Sequence, residues 1–188
     1  MVVDGIAPST RWRAFCSDSL EVADDLEVEL VVNLGALLAD VPHTRPVPLT
    51  GFASAPELIA DLGLEESGYE GPTGIVGVLQ HTCDMSGMPS VSLWAAVPHY
   101  VSQSPCPKAA LALLNRLEDI TATTITTSEL ADEAAAWQRG VEEMAEEDEE
   151  VREYVERLER ARDSEDLTAT SGDAIAAEFE RYLRRRNP

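Results

Sequence analysis

The chain has 188 residues and a formal net charge of −21, because 35 Asp and Glu residues stand against 14 Lys and Arg residues. This balance excludes nucleic acid and anionic lipid as general partners, since phosphate groups are bound by clustered basic side chains. Three cysteines without a metal-binding spacing indicate a reducing, cytoplasmic setting, and no apolar run reaches the ~20 residues that span a membrane.

The first 120 residues predict a partial α/β domain in which strands and helices alternate. Runs rich in β-branched residues predict strands, and apolar residues at three- and four-residue spacing predict helices. This order favours a largely parallel sheet with flanking helices. The predicted elements are a strand end at 1–4, a helix opened by 8–10, a strand at 29–34 ended by Gly35, a strand at 46–53, a helix at 55–62, a helix from Ile75 capped by Thr73, a strand at 91–97, and a helix from Ser104.

Residues 121–188 predict a helical C-terminal extension. Sixteen of the carboxylates lie between Glu129 and Asp166, a density typical of a solvated helical face. An apolar stripe through this region predicts one long helix or a pair broken near Asp148. A polar loop is expected at 164–171, followed by a last helix that ends in three arginines at 184–186. The stripe residues expected to form an interaction surface, or to pack within the chain, are Trp137, Val141, Met144, Val151, Tyr154 and Leu158.

Motifs for cofactor or metal chemistry are weak. The sequence has no nucleophile elbow, Walker loop or dinucleotide fingerprint, and the glycine-rich 71–77 lacks the lysine of a phosphate-binding loop. The run from His81 to Asp84 holds three metal-ligand types, but adjacent helical residues project in different directions. Cys83 falls on the apolar side with Met85, whereas His81 falls on the exposed side. We therefore expect no cofactor and no metal.

Two Val-Pro-His triplets end apolar runs and contain two of the three histidines, His43 and His99. If both runs are parallel strands, these histidines lie beyond strand carboxyl ends, where open α/β sheets usually bind ligands. The alternative is that each proline ends a strand and each imidazole bonds a loop carbonyl. In the first interpretation, a small-anion pocket would be completed by Thr44, Arg45, Gly71, Thr73, Gly74 and Tyr100.

Five segments in order carry a family resemblance: VPHTRP at 41–46, EGPTGIVGVL at 70–79, VSLWAAVPHYV at 91–101, SPCPKAALALLNRLE at 104–118 and SGDAIAAEFERYLRRR at 171–186. Together they resemble the bacterial, actinobacterial-type branch of the proteasome assembly chaperone 2 family. The resemblance implies a phosphorylase-like or hydrolase-like α/β fold with a helical C-terminal extension. Family members carry further N-terminal strands, so we expect this sequence to be a fragment or to have a misassigned start.

The resemblance implies a non-enzymatic interaction protein that acts through self-association, as a homo-oligomer, or through proteasome-related protein partners. Eukaryotic relatives use a hydrophobic-Tyr-any tail to enter proteasome ring pockets, whereas this chain ends in Arg186-Asn187-Pro188. The alternative is an enzyme or metabolite-binding protein with a phosphorylase-like fold that uses the edge formed by His43 and His99. Both hypotheses remain open at the level of sequence.

Overall fold

The computed structural model describes residues 1–3, 5–53, 55–64, 74–101 and 105–169, which form a mixed α/β structure. Three of its elements are strands of one sheet. No helix in the described part of the chain is long and apolar enough to cross a membrane. The elements are α1 (Trp12–Asp25), β1 (Val31–Ala39), β2 (Leu49–Ala53), α2 (Pro56–Leu62), α3 (Ile75–Ser86), β3 (Ser90–Pro98), α4 (Pro107–Thr121), α5 (Ser128–Glu147) and α6 (Glu149–Ala169).

The sheet contains both strand directions. β2 is antiparallel to β3, from Leu49 opposite Ala95 to Ala53 opposite Val91. β1 runs in the direction of β3, because the Val31 N–H donates to the Pro89 carbonyl at 2.9 Å and, further along both segments, the His99 N–H donates to the Ala39 carbonyl at 3.2 Å. The predicted α/β class is confirmed, but a largely parallel sheet is not, because of the β2–β3 pair. The phosphorylase-like or hydrolase-like label stays a prediction.

The chain divides into two compact units, each built from three separated stretches. Unit 1 comprises Met1–Leu37, Pro48–Ala96 and Ala109–Ser128, and unit 2 comprises Leu38–Val47, Val97–Lys108 and Glu129–Pro188. The predicted division into residues 1–120 and 121–188 stays a prediction.

Unit 1 has an apolar core centred on β3. Both faces of β3 are covered, because Val91 is 0% exposed on one face and Ser92 is 2% exposed on the other. Helix α1 packs against α3, and each contributes a buried cysteine, Cys16 and Cys83. Burial raises the pKa of the Cys83 thiol, so this cysteine stays protonated as a small apolar group.

Gly35 does not end β1, which continues to Ala39. A Cβ atom at this position would lie 2.7 Å from the nearest ring carbon of Trp94 on β3. Only glycine leaves room for that ring, so Gly35 is required by the close approach of Trp94 to the backbone of β1. The predicted strand exit at Gly35 is wrong.

Several local predictions in unit 1 also need correction. Residues 1–3 form no strand, and the side chain of Met85 is 76% exposed instead of lining the apolar face of α3. His81 is exposed, as predicted. Thr73, the predicted cap, lies outside the described residues, and the N-cap position of α3 is Gly74.

Unit 2 contains the helical pair predicted from the stripe. The break is at Asp148, whose carboxylate accepts the N–H groups of Glu150 at 2.9 Å and Val151 at 3.3 Å and so caps α6. Helix α6 continues to Ala169, so the polar loop predicted from residue 164 is wrong up to that point. The predicted last helix and its arginines at 184–186 lie outside the described residues.

Candidate functional site

The two Val-Pro-His segments of unit 2 meet at Tyr100. β1 ends at Ala39, three residues before Pro42, and β3 ends at Pro98, which has no N–H to donate to the ladder. The hydrogen bond from the His99 N–H to the Ala39 carbonyl holds the two strand ends together. A turn in which the Val101 N–H donates to the Pro98 carbonyl at 3.1 Å then directs Tyr100 toward His43.

His43 is buried, with 3% of its surface exposed, and Tyr100 holds it from two sides. The Tyr100 hydroxyl accepts the backbone N–H of His43 at 2.8 Å and lies 2.9 Å from its Nδ1 atom. The hydroxyl can donate to Nδ1 or accept from it, according to which ring nitrogen carries the imidazole proton. Among the described residues, the Nε2 atom of His43 has no hydrogen-bond partner.

Burial controls the protonation of this pair. It lowers the pKa of His43 below 6.5 and raises the pKa of Tyr100 to about 12. Both side chains are therefore neutral at pH 7. The hydrogen bond between them joins a phenol to an uncharged imidazole, a structural contact and not an activated acid and base.

Four aromatic rings, those of His43, His99, Tyr100 and Tyr154, form the Tyr100 cluster. Ring centroids in contact lie 5.4 to 5.9 Å apart with planes 74° to 84° from parallel, which is favourable edge-to-face geometry. His99 is partly exposed, and its Nδ1 atom lies 3.0 Å from a carboxylate oxygen of Asp40. Tyr154 also hydrogen-bonds to Asp40, and burial is the largest cause of its raised pKa. The cluster thus fastens α6 to both strand ends within unit 2.

Arg45 and Thr44 lie in the loop that follows β1, and they bind α6 at two residues beyond Tyr154, Glu159 and Asp163. The Arg45 guanidinium makes a bidentate ion pair with Asp163, with both nitrogen–oxygen distances 2.8 Å, and a longer contact of 3.3 Å with Glu159. The Thr44 hydroxyl donates to the same carboxylate oxygen of Glu159. Hydrogen bonding to Asp163 raises the pKa of Arg45, and hydrogen bonding to Arg45 lowers the pKa of Asp163. The guanidinium is therefore engaged by acidic side chains of its own unit.

Lys108, at the start of α4, donates to three acceptors. They are the carbonyl of His43 at 2.5 Å, the carbonyl of Arg45 at 3.0 Å and the side-chain oxygen of Gln138 at 2.8 Å. An ammonium group has three protons, so its donors are all used. Burial lowers the pKa of Lys108. The residue joins the loop of the first triplet to α5.

The predicted anion site has its positive groups occupied. Arg45 pairs with Asp163 and Glu159, and Lys108 binds oxygens of the chain itself, so an anion would have to displace them. Gly74 is at the start of α3 in unit 1, and Gly71 and Thr73 lie outside the described residues. Within the described part of the chain, no group of three or more His, Cys, Asp or Glu residues could hold a metal ion.

The predicted interaction stripe is divided between packing and exposure. Val141 is 5% exposed and Tyr154 belongs to the Tyr100 cluster, so both serve the interior of unit 2. Trp137, Val151 and Leu158 are half-buried. Met144 is the most exposed of the six, with 41% of its surface accessible.

Sequence reasoning missed the residues that hold the loop. Glu159 and Asp163 belong to an acidic stretch that is typical of a solvent-facing surface, which hides their individual roles, and Asp40 is a lone carboxylate after an apolar run. Lys108 could have been noticed as the only lysine of the chain. Its three acceptors come from segments that are distant in sequence, so its partners could not have been named.

These features define the class: an α/β protein whose strand-end loops are tied by side chains to a pair of helices. The chain belongs to the PAC2 family, because the family model matches residues 1–145, more than half of its length. A comparison with curated proteins found no match.

Solved structures agree with this assignment. A PAC2 family protein from Streptomyces avermitilis is 61% identical, with a TM-score of 0.75 over 80% of this chain and 63% of that chain. A Mycobacterium tuberculosis proteasome-assembly chaperone homologue is 52% identical, with a TM-score of 0.72 over 80% of this chain and 64% of that one. A second M. tuberculosis protein, of unknown function, is 30% identical over 95% of this chain and 58% of that chain, with a TM-score of 0.79. The chain spans less than two thirds of the length of these three relatives.

Proposed function

We propose that the protein is a non-enzymatic, chaperone-like interaction protein that acts through proteasome-related partners or self-association. The observation that carries the proposal is that the strand-end site is engaged internally: Arg45 and Lys108 bind groups of their own unit. Membership of the PAC2 family and a relative described as a proteasome-assembly chaperone homologue support it. A cytoplasmic setting is part of the proposal and agrees with three cysteines that form no disulfide, Cys16, Cys83 and Cys106.

The proposed contact surface is the face of α5 that carries Met144. This side chain is exposed, and the half-buried Trp137 lies seven residues, or two helical turns, before it. The strongly acidic composition favours a partner surface with basic side chains around an apolar contact. Met and Trp are residue types that are enriched at such interfaces.

The test is to cross-link the purified chain to purified proteasome subunits from its own cells and to identify the linked peptides. We expect cross-links to α5, and we expect Met144→Glu to weaken them by about tenfold, because a charge would enter an apolar contact. Light scattering of the chain alone measures self-association in parallel.

Ala135→Glu is the matched control. Ala135 is exposed on the same helix and lies nine residues from Met144, which places it on the opposite face. It should bind like the original chain. The absence of cross-links to proteasome subunits, combined with a monomer at all concentrations, would refute the proposal. Equal losses of cross-linking in Met144→Glu and Ala135→Glu would also refute it.

A second candidate function is binding of a small anion or metabolite at the edge formed by His43 and His99, in a phosphorylase-like fold. One observation favours it: the Nε2 atom of His43 is buried and has no hydrogen-bond partner among the described residues, as a ring nitrogen that bonds a ligand would. Thermal stabilisation by phosphate and by acetate should then be present in the original chain and lost in a variant with His43→Ala and His99→Ala. No stabilisation, or equal stabilisation of the double variant, would eliminate this function.

A further inference from the structure

The imidazole of His43 is a buried titratable group within unit 2. Its residue is 3% exposed, and the Tyr100 hydroxyl after β3 contacts both its backbone N–H and its Nδ1 atom. His43 belongs to residues 41–46, which lie between the end of β1 and the start of β2. We call this segment the His43 loop. Because the ring is enclosed, it reaches water only if the loop or its neighbours move.

The His43 loop is tied to two helices by polar contacts. Lys108 of α4 donates to the carbonyls of His43 and Arg45. On α6, Glu159 accepts from the Thr44 hydroxyl and pairs with Arg45. The net contribution of each such bond is small, because water replaces the partners when a loop opens. A free-energy cost at one buried member of the site can therefore release the loop while apolar cores stay packed.

The titratable groups around the His43 ring come from each neighbouring segment. They are the Tyr100 phenol after β3, the Lys108 ammonium on α4, and the carboxylates of Glu142 on α5 and Glu159 on α6. The two carboxylates favour a charged imidazolium, and the ammonium opposes it. Burial has the largest effect, and it lowers the pKa of His43 from 6.5. The closed loop therefore holds the neutral ring.

Protonation would change what this ring requires from its surroundings. A neutral imidazole has one donor and one acceptor, whereas an imidazolium has two donors. Its Nε2 atom has no acceptor among the described residues, so a buried cation would carry an unsatisfied N–H group. Water satisfies both N–H groups in an open loop. The open loop therefore binds the proton more tightly than the closed one, and opening becomes more favourable as the pH falls below 6.5.

We propose that His43 is an acid-sensitive latch: protonation of its buried ring opens the His43 loop and detaches it from Tyr100, α4 and α6, while the apolar core around β3 stays folded. The position of one enclosed imidazole among polar contacts carries the proposal, since the ring cannot gain a charge without leaving its site. This inference concerns the strand-end loop of unit 2. It does not depend on the proposed function, whose contact surface is the face of α5 that carries Met144.

The test is amide hydrogen exchange of the full chain, followed by NMR between pH 5 and pH 7.5 and corrected for the intrinsic pH dependence of exchange. The backbone N–H of His43 is the probe, because the Tyr100 hydroxyl accepts it in the closed loop. Its opening equilibrium should rise at least about threefold from pH 7 to pH 5, with a limit of about tenfold per pH unit. At pH 5 this amide should exchange at least about tenfold faster than the amides of β3, which require global unfolding.

His43→Gln is the decisive variant. Glutamine keeps a polar side chain beside Tyr100 but does not titrate in this range, so the pH dependence of loop exchange should be lost. His99→Gln is the matched control, because His99 contacts the same Tyr100 ring but is partly exposed, and it should leave the pH dependence unchanged. Circular dichroism confirms folding. If His43→Gln does not fold, NMR titration of the ring in the original chain decides: His43 should gain its proton below pH 6.5, together with the rise in loop exchange.

Four results would overturn the proposal. They are a His43 ring that gains its proton at or above pH 6.5, exchange of the loop amide no faster than that of β3 at pH 5, a pH dependence retained in His43→Gln, and a pH dependence lost in His99→Gln. The second result would mean that the loop opens only with the whole fold, and the last would assign the trigger to His99. The cross-linking results for α5 affect none of these readouts.

Discussion

The two units are stabilised by different kinds of interaction. The buried centre of unit 1 is mainly apolar, with Val91, Leu93 and Ala95 almost inaccessible on β3, and the buried Ser92 hydroxyl beside them donates to Gln80. Unit 2 also buries apolar side chains, such as Val141 and Val155, but its strand-end loops are held by a polar and aromatic network. Both Val-Pro-His motifs therefore belong to the unit whose loops are held by hydrogen bonds and ring contacts.

This contrast has an energetic consequence. Apolar burial is non-directional and scales with area, so unit 1 should lose stability in proportion to the volume removed. A hydrogen bond contributes little net free energy, but leaving its buried partner unsatisfied is costly. Unit 2 should therefore be sensitive to single polar changes that alter side-chain volume very little.

The largest effect is expected from Leu93→Ala in unit 1. Leu93 is 1% exposed, so the substitution leaves a cavity and should lower the free energy of unfolding by about 2 to 5 kcal/mol. Denaturation with urea, followed by circular dichroism, measures the change. Met85→Ala is the control, because Met85 is 76% exposed and should change stability by less than about 0.5 kcal/mol. Similar losses in both variants would contradict an apolar core at β3.

Lys108→Met should have the next largest effect and tests the polar network of unit 2. Methionine keeps an unbranched side chain but cannot donate to the carbonyls of His43 and Arg45. We expect a loss of about 1 to 3 kcal/mol in the free energy of unfolding by the same urea denaturation. Arg139→Met, which removes an exposed positive charge from α5, should have little effect. A loss no greater than that of Arg139→Met would show that water replaces the ammonium group without cost.

Local patterns predicted those parts of the fold whose causes are local. Asp148 interrupts the apolar stripe and its carboxylate caps α6, so the break could be predicted from a few residues. Gly35 could not be interpreted in this way, because the ring that requires it belongs to Trp94, far along the chain. A glycine after a β-branched run predicts the end of a strand, and only the neighbouring strand shows that it is needed for close packing.

The candidate site shows the same limit. Proline chemistry located the end of β3 but not that of β1, and the structure brings His43 and His99 together at Tyr100. Arg45, however, binds Asp163, 118 residues away, in a helix with many carboxylates. The residue type alone predicts that an arginine binds an anionic group. It does not predict whether that group is a ligand or a carboxylate of the same chain.

The smallest predicted effect is a pH dependence that comes from His43. Burial lowers the folded-state pKa of this imidazole below 6.5, so below about pH 6.5 the unfolded chain binds the proton more readily and stability falls as the pH falls. The expected slope is at most about 1.4 kcal/mol per pH unit, until the folded-state pKa is reached. Glu142 and Glu159 oppose the lowered pKa and Lys108 adds to it, but burial is the largest cause.

His43→Gln should remove this slope, whereas His81→Gln should keep it, because His81 is exposed on α3. Urea denaturation at intervals between pH 5 and pH 7.5 measures both variants against the original chain. The hydrogen bond from Arg45 lowers the pKa of Asp163 below 3.8, so the stability linked to that carboxylate is lost only in more acidic solution. An unchanged slope in His43→Gln would mean that the pKa of this imidazole is the same in the folded and unfolded chains, which would contradict a lowered folded-state pKa.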